Sequence, residues 1–325
     1  MAHKLRKPLT DEHIFKSIKA TVRKIAKEDV ARSDLKIVDT ALKELVYTFK
    51  IFAPYRGKRK ITIFGSARSL HSDPTARQAR RFAKEIVRLG YMVLTGAGGG
   101  IMQAAQEGAG SENSFGLNIR LPFEQKANPV IKEDRKLIHF KYFFTRKLTM
   151  VKESDALVLF PGGFGTQDEM LETLTLLQTG KTLPKPVVCI DKKGGGYWKQ
   201  WKRFNFGTLI KNHLISKEDK KFIFFTDQIE DAVSHITKFY HNYHSLRFFE
   251  KWLLIRVWRL PSNPLLRRLG QKFKDILSSG GIHSIPTHLL PDPEHEALPL
   301  KTLRLQFNRK NFGRLRQLID ELNEY

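Results

Sequence analysis

The sequence predicts an α/β fold. A doubly wound, Rossmann-like parallel sheet carries helices on both faces, with N-terminal helices before it and a helical C-terminal extension after it. Three observations predict this. Short apolar runs alternate with amphipathic helical patterns from Lys60 to about residue 244. Several runs, such as "ALVLF" and "PVVCID", are almost continuously apolar, as strands covered on both faces are. Three of the runs end in loops of small residues, at 64–67, 95–100 and 161–166.

Residues 11–50 read as helix. Ile14, Ile18, Val22 and Ile25 recur at spacings of three and four, and Leu42, Leu45, Val46 and Phe49 continue the pattern from Leu35 to Phe52. Pro54 and Gly57 break it. The strand "KITIF" follows, then a helix from Thr75 to Leu89 that Gly90 stops. "YMVLTG" is a strand that leads through "AGGG" into the helix "IMQAAQEGA". "SFGLNIRL" and "LIHFKYF" are strands, and Arg146 to Glu153 is helical. "ALVLF" runs into "PGGFGT" and the amphipathic helix "TQDEMLETLTLLQTG". After "PVVCID" come the helix "GYWKQWKRFNFGTLIKNHLI", the strand "KFIFFT" and the helix "IEDAVSHITKFYHNYH". "FFEKWLLIRVWRLP" is expected as a docked structural helix. Glu250, Lys251, Arg256 and Arg259 fall around most of its wheel, which argues against an interfacial membrane helix. "IPTHLLPDPEHEALP" holds four prolines and reads as an extended linker, and "NRKNFGRLRQLIDELNEY" closes the chain as a helix. Three parts are therefore expected: an N-terminal helical segment (1–57), a Rossmann-like domain (58–244) and a basic, mostly helical C-terminal extension (245–325).

Composition narrows the function. With 325 residues and 41% hydrophobic content, the chain can bury a substantial core. A single cysteine, Cys189, excludes an internal disulfide framework and a cysteine-rich zinc site. The N-terminus lacks an apolar leader core, and no run approaches the roughly 20 apolar residues of a spanning helix, so a cytoplasmic protein without a membrane span is expected. The net charge of +24 raises nucleic acid as a partner. Yet residues 1–60 carry 16 Lys and Arg against 7 Asp and Glu, residues 245–325 carry 14 against 8, and the stretch between keeps a similar excess. Charge spread in this way fits a solvated basic surface and a small anionic ligand better than a polynucleotide groove. Trp198, Trp201, Phe204 and Phe206 offer base-stacking rings, but their helical spacing reads as core.

The three small-residue loops carry the chemistry. Ligands of an open parallel sheet bind beyond the carboxyl ends of its strands. Gly65 and Ser66, Gly98 and Gly99, and Gly162, Gly163 and Gly165 each stand between a strand and a helix. Glycine lets backbone amides approach a ligand, and the following helix adds unpaired N–H groups and a partial positive charge. Any one loop could be only a tight turn. Three at one sheet edge point to a phosphorylated ligand. No Gly-Lys-Ser/Thr follows, so this is no ATP-hydrolysing P-loop, and "GAGGGIM" does not fit the dinucleotide fingerprint. Thr166 is expected to cap the helix, with Asp168 and Glu169 in its first turn. The helix dipole alone favours acids there. Alternatively, a carboxylate beside a phosphate cradle faces the sugar of a nucleotide, where it can bind ribose hydroxyls, stabilise an oxocarbenium-like centre or orient water for attack at C1′. Arg146 and Lys147 supply cations near the start of the preceding helix.

"PGGFGTQDE" resembles the PGGxGTxxE signature of the LONELY GUY family, and "TRKLTM" resembles its Arg-Lys helix. "ITIFGSAR", "GLNIRLPFEQKANP" and "TLLQTGK" follow the order seen in the longer bacterial members, over about residues 40–240. These proteins, often labelled lysine decarboxylases, are better described as nucleoside 5′-monophosphate phosphoribohydrolases. The resemblance implies Arg146 and Glu169 as the catalytic pair. It implies Gly162, Gly163, Gly165 and Thr166 around the phosphate, with Lys147 and Thr175 completing the pocket. It also implies a homodimer with composite sites, no metal and no organic cofactor. The chain departs from the pattern in "GAGGGIMQAAQ", where Gln103 replaces a glutamate and Gln106 an asparagine, which bears on base preference and rate. No lysine sits in a motif that marks a pyridoxal-phosphate Schiff base. The expected activity is hydrolysis of the N-glycosidic bond of a nucleoside monophosphate, AMP-like purine nucleotides first, to free base and ribose 5-phosphate. The alternative is a non-catalytic nucleotide sensor or carrier on the same fold.

Overall fold

The structure, a computed structural model, describes residues 10–121, 126–286 and 298–325. A first compact unit ends at Phe49 and a second begins at Lys50. In the first, helix α1 is Asp11–Ile25, and the His13 amide donates to the Thr10 hydroxyl that caps it, at 3.4 Å. Asp11 and Glu12 at its start, and Arg23 and Lys24 at its end, both complement the helix dipole. The apolar stripe Ile14, Ile18 and Val22 is exposed, and α1 buries no residue. Helix α2 is Arg32–Phe52.

The second unit opens with β1 (Lys60–Phe64), α3 (Pro74–Arg88), β2 (Met92–Thr95) and α4 (Ile101–Ala109). It continues with β3 (Ser114–Ile119), β4 (Leu137–Phe140), α5 (Phe143–Lys152), β5 (Ala156–Leu159) and α6 (Phe164–Gln178). Then come β6 (Val187–Ile190), α7 (Tyr197–Lys202), α8 (Leu209–Lys211), β7 (Ile223–Thr226) and α9 (Ile229–Phe239). The seven strands form one parallel sheet in the order β4-β3-β2-β1-β5-β6-β7. This is the expected doubly wound sheet. Side chains alternate across it. Ile61 and Ile63 of β1 join Phe82, Val158 and Ile236 on one face. On the other, Phe64 joins Leu94, Phe115, Leu159 and Met170. Both faces are apolar, which is why the strands read as unbroken apolar runs. Trp198 is buried in the second cluster with Trp201 and Phe206 against it, as their spacing predicted, whereas Phe204 is exposed.

The order of strands positions the site. It runs outward from β1 through β2, β3 and β4, and in the opposite direction through β5, β6 and β7, so it reverses between β1 and β5. That reversal opens a crevice at the carboxyl ends of the two strands. Their register pairs Ile61 with Ala156 and Phe64 with Leu159, so the loops after them leave the sheet at one level.

The C-terminal part differs from the expected helical extension. Strands β8 (Tyr243–Phe249), β9 (Trp252–Val257), β10 (Leu277–Ile285) and β11 (Lys301–Phe307) form an antiparallel sheet in the order β10-β11-β9-β8. Helices α10 (Asn263–Lys272) and α11 (Phe312–Asn323) share its core. "FFEKWLLIRVWRLP" is therefore not a helix but the turn and second strand of a hairpin. Phe249 pairs with Trp252 across the two-residue turn Glu250-Lys251, where Glu250 takes φ +52°. Leu253, Ile255 and Val257 face the core with a period of two. Charges scattered around a helical wheel are what a strand pattern gives when read with the wrong period. The proline-rich stretch read as a linker falls largely on residues 287–297, and the first nine residues of the chain likewise lie outside the described residues. Among the described residues no helix is long and apolar enough to cross a membrane.

Candidate active site

The three small-residue loops meet in the crevice. The Ser66 amide donates to the Pro161 carbonyl at 3.1 Å, and the Ile101 amide donates to the Ser66 carbonyl at 3.0 Å. The loops after β1, β2 and β5 are thus stapled to one another through Ser66. Its amide is engaged, and its hydroxyl accepts from the Arg68 amide at 3.1 Å. A methyl group at Gly65 would come 2.7 Å from Ile101, and one at Gly162 would come 2.2 Å from the Thr166 hydroxyl and 3.0 Å from the Gly65 carbonyl carbon. Glycine at these positions lets the loops approach. Gly163 and Gly165 are different, because a methyl at either would stand in open space and neither has a positive φ. Packing within the chain does not require glycine at either position. The amides of Gly162 through Gly165 donate to no carbonyl of a described residue, whereas those of Thr166 and Gln167 bond to the Gly163 carbonyl.

The loop after β2 is strained and anchored. Ala97 lies at φ +62°, and its carbonyl accepts from the backbone amide and the side chain of Asn128 at 2.8 and 3.1 Å. The Asn128 side chain also donates to the Gly98 carbonyl at 3.0 Å and to Gln106 at 2.6 Å. Gln106 is buried and bonds the Phe115 carbonyl, so this departure from the family pattern holds the loop. Gln103 donates to Glu107 at 3.0 Å. Gly100 at φ +62° opens α4, and a Cβ there would come 2.3 Å from the Ser66 carbonyl oxygen. Gly100→Ala should therefore lower stability by about 3 kcal/mol or more. A thermal unfolding midpoint equal to that of the parent would contradict this.

Helix α6 begins earlier than expected. Gly163 is its N-cap, so Thr166 sits buried inside the first turn and does not cap it. No acid lies in that turn. Asp168 and Glu169 stand in the second, beyond most of the reach of the end charge, so the dipole does not account for them. They also differ from each other. Asp168 is exposed and pairs with the Lys147 ammonium at 2.7 Å, and Glu172 pairs with the same ammonium at 2.7 Å. Glu169 is 4% exposed, and its Oε2 has no hydrogen-bond partner among the described residues. Its Oε1 lies 3.6 Å from an Arg146 guanidinium nitrogen. Arg146 in turn donates from Nε to the Leu117 carbonyl of β3, at 2.7 Å. The guanidinium rests on Gly96, where a methyl would come 2.5 Å from Nη2. A side chain at 96 would displace the guanidinium or the Met102 sulfur, which a Cβ there would approach to 2.8 Å.

Burial pushes the Glu169 carboxyl up to about 7, against the opposing pull of Arg146 and Lys147. Burial also lowers Arg146, with the Glu169 charge acting the other way. A carboxyl raised from 4.5 to about 7 stabilises the fold fully below pH 4.5, and that contribution is lost as pH rises through 7. Glu169→Gln removes the titration. Its stability relative to the parent should rise by about 3 kcal/mol between pH 4.5 and about pH 8. Denaturant midpoints at the two pH values check this, and a difference independent of pH refutes it.

The structure brings Arg146, Glu169, Gly65, Ser66, Gly98, Gly99, Gly162, Gly163, Gly165 and Thr166 to one sheet edge, with Lys147 tying α5 to α6. Thr175 lies farther along α6, exposed, its hydroxyl donating to the Leu171 carbonyl at 2.8 Å. Two supports escaped the sequence reading. Asn128 belongs to an Asn-Pro turn signal. Tyr197 donates to the Gly162 carbonyl at 2.5 Å and accepts from Gln167, which also accepts from Trp201 at 2.9 Å. Among the described residues no cluster of His, Cys, Asp and Glu is arranged to hold a metal.

Residues 99–236 match a protein family described as "Possible lysine decarboxylase". A cytokinin riboside 5′-monophosphate phosphoribohydrolase of Arabidopsis thaliana is 25% identical over 122 residues, covering 38% of this chain and 55% of that protein. The chain thus spans about half the length of that relative. Both findings are in keeping with the resemblance of "PGGFGTQDE" to the LONELY GUY signature. Similar solved structures include a molybdenum cofactor binding protein of Rippkaea orientalis, 18% identical with TM-score 0.39 over 55% of this chain and 96% of that one. The molybdenum cofactor carrier protein of Chlamydomonas reinhardtii is 20% identical, with TM-score 0.39 over 56% of this chain and 97% of that one.

Proposed function

We propose that this protein hydrolyses the N-glycosidic bond of nucleoside 5′-monophosphates, AMP-like purine nucleotides first, releasing free base and ribose 5-phosphate. The observation that carries the proposal is Glu169: a buried carboxyl poised near pH 7, with one unpartnered oxygen, beside a buried arginine and behind a loop of open amides. The amides of Gly162 to Gly165 and the start of α6 hold the phosphate. Side chains on a helix tilt toward its N-terminus, so the Glu169 carboxylate reaches back toward the ribose. Water adds its oxygen to C1′ as the C1′–N bond breaks. The water proton passes to the Glu169 carboxylate, and the bond pair leaves with the base nitrogen, which solvent protonates. Arg146 orients the sugar phosphate and holds the carboxylate in place. The relative in Arabidopsis, named for the same class of reaction on a cytokinin nucleotide, supports the reading. Exposed Phe143, Phe144 and Leu148 on α5, beside the site, support a homodimer.

Incubation with AMP, GMP, CMP and UMP, followed by chromatography of free base, tests the proposal. Release from none of them at high enzyme concentration sinks it. Saturable binding without release would favour the sensor or carrier. Because Glu169 acts ionised, kcat/KM should climb as pH passes about 7 and level above it. A profile flat across that range contradicts the role of Glu169.

A further inference from the structure

A second cleft lies away from the switch point, at the free edge of β7, two strands from β5. Its volume is about 660 Å³, within the range of roughly 300–1,000 Å³ typical of small-molecule sites. Phe206 and Phe225 line its apolar wall, and Lys199, Lys202, Arg203 and Lys220 surround it. The Lys202 ammonium stands 5.0 Å from the centre of the Phe225 ring. Among the described residues no carboxylate lines the cleft, and none is ion-paired to any of the four cations. Four like charges around one concavity repel each other and focus a positive potential into it, which an anion relieves. The helical stretch that walls the cleft widens after α7 into π-helical turns at Arg203–Thr208. Such turns are rare and recur at functional sites.

The wall of the cleft also reaches the glycine loop. The Trp201 ring lies 5.5 Å from Phe206 and 6.0 Å from Phe225, centre to centre. Trp201 donates to Gln167 at 2.9 Å, Gln167 donates to the Tyr197 hydroxyl, and that hydroxyl donates to the Gly162 carbonyl at 2.5 Å. One short helix thus carries both the cleft wall and two of the supports of the loop.

We propose that this cleft binds an organic phosphate with a flat apolar body, and that its occupation shifts the loop at Gly162–Gly165. The ligand class follows from the lining: cations for the phosphate, two aromatic rings for the body. The regulatory part rests on reading that loop as the substrate phosphate site, but binding in the cleft does not.

Calorimetric titration of the full chain with 1-naphthyl phosphate, inorganic phosphate and 1-naphthol tests the ligand class. The aryl phosphate should bind at least about tenfold more tightly than either fragment. The double variant Lys202→Glu/Lys220→Glu should lose at least about tenfold in that affinity, whereas Lys84→Glu/Lys132→Glu, an equal charge change at exposed positions on α3 and beside the β4 edge of the sheet, should lose less than about twofold. Equal losses in both variants, or aryl phosphate binding unaffected by the first, overturn the site. Phosphate binding as well as the aryl phosphate overturns the ligand class. Amide hydrogen exchange at residues 162–167 should change at least about threefold on addition of the probe to the parent chain and not in the Lys202→Glu/Lys220→Glu variant. Unchanged exchange with the cleft occupied overturns the coupling. A chain that binds the probe but releases no base from any nucleotide fails the proposed activity alone.

Discussion

Glu169→Gln should slow base release from AMP by about 100-fold to 10,000-fold while leaving AMP affinity within about threefold of the parent. The amide keeps the size of the carboxyl and its place beside Arg146, so the ground-state architecture is retained. The charge that accepts a proton and faces the developing cation at C1′ is removed. Asp168→Asn supplies the contrast. Asp168 is exposed and its partner is the Lys147 ammonium. Its loss should slow release by less than about tenfold, because an exposed ion pair contributes little. If both acids served only the start of the helix, the two variants would behave alike. Single-turnover base release, with AMP binding measured by calorimetry, separates the cases. Equal effects, or a fast Glu169→Gln enzyme, would falsify the catalytic role of Glu169.

Residue preference alone did not separate these neighbouring acids, which only the family resemblance told apart, and the reason is physical. Thr166 is a good capping residue, so residue preference placed the helix start there. The helix starts at Phe164 because Gly163 takes the cap position, and every later residue moves deeper. The shift carries Glu169 into the second turn, where burial rather than the dipole sets its proton affinity. The sheet itself was readable, because strands covered on both faces leave unbroken apolar runs. The reversal of strand order between β1 and β5 was not, since it is set by which strands pair. The same limit hid Tyr197, which holds Gly162 from 35 positions away in the chain. The C-terminal hairpin was misread for another reason. Each of its strands is short and carries charges, so a helical and a period-two pattern compete over too few residues to separate.

Ending the chain after Asn242 should abolish cooperative unfolding rather than yield a smaller, active domain. Although the family match stops at residue 236, the fold does not. Residues 50–325 form one compact unit, and α9 belongs to two cores at once. Its Ile229, Ala232 and Ile236 pack on the parallel sheet, while Phe239 is buried among Leu253, Ile255, Leu315 and Ile319. Asn323 closes the junction. Its side chain accepts from the amides of Asn242 and Tyr243 at 3.0 and 2.7 Å and donates to the Phe239 carbonyl at 2.6 Å. Helix α11 also reaches back to the Rossmann-like half. The Phe312 ring lies where a methyl at Gly180 would stand, 2.0 Å away, and the buried Arg316 guanidinium lies 4.4 Å from the centre of the Phe239 ring. Truncation strips these contacts from α6 and α9 and leaves buried polar groups without partners. Each fully uncovered large apolar side chain costs about 2–3 kcal/mol, and each orphaned buried polar group about 1–3 kcal/mol. Several of each exceed the 5–15 kcal/mol of stability that a domain typically has. Thermal melts followed by near- and far-ultraviolet circular dichroism decide the matter. A sharp transition for residues 1–242, within a few degrees of the full chain, would show instead that the Rossmann-like half folds alone and that the C-terminal sheet is an accessory to it.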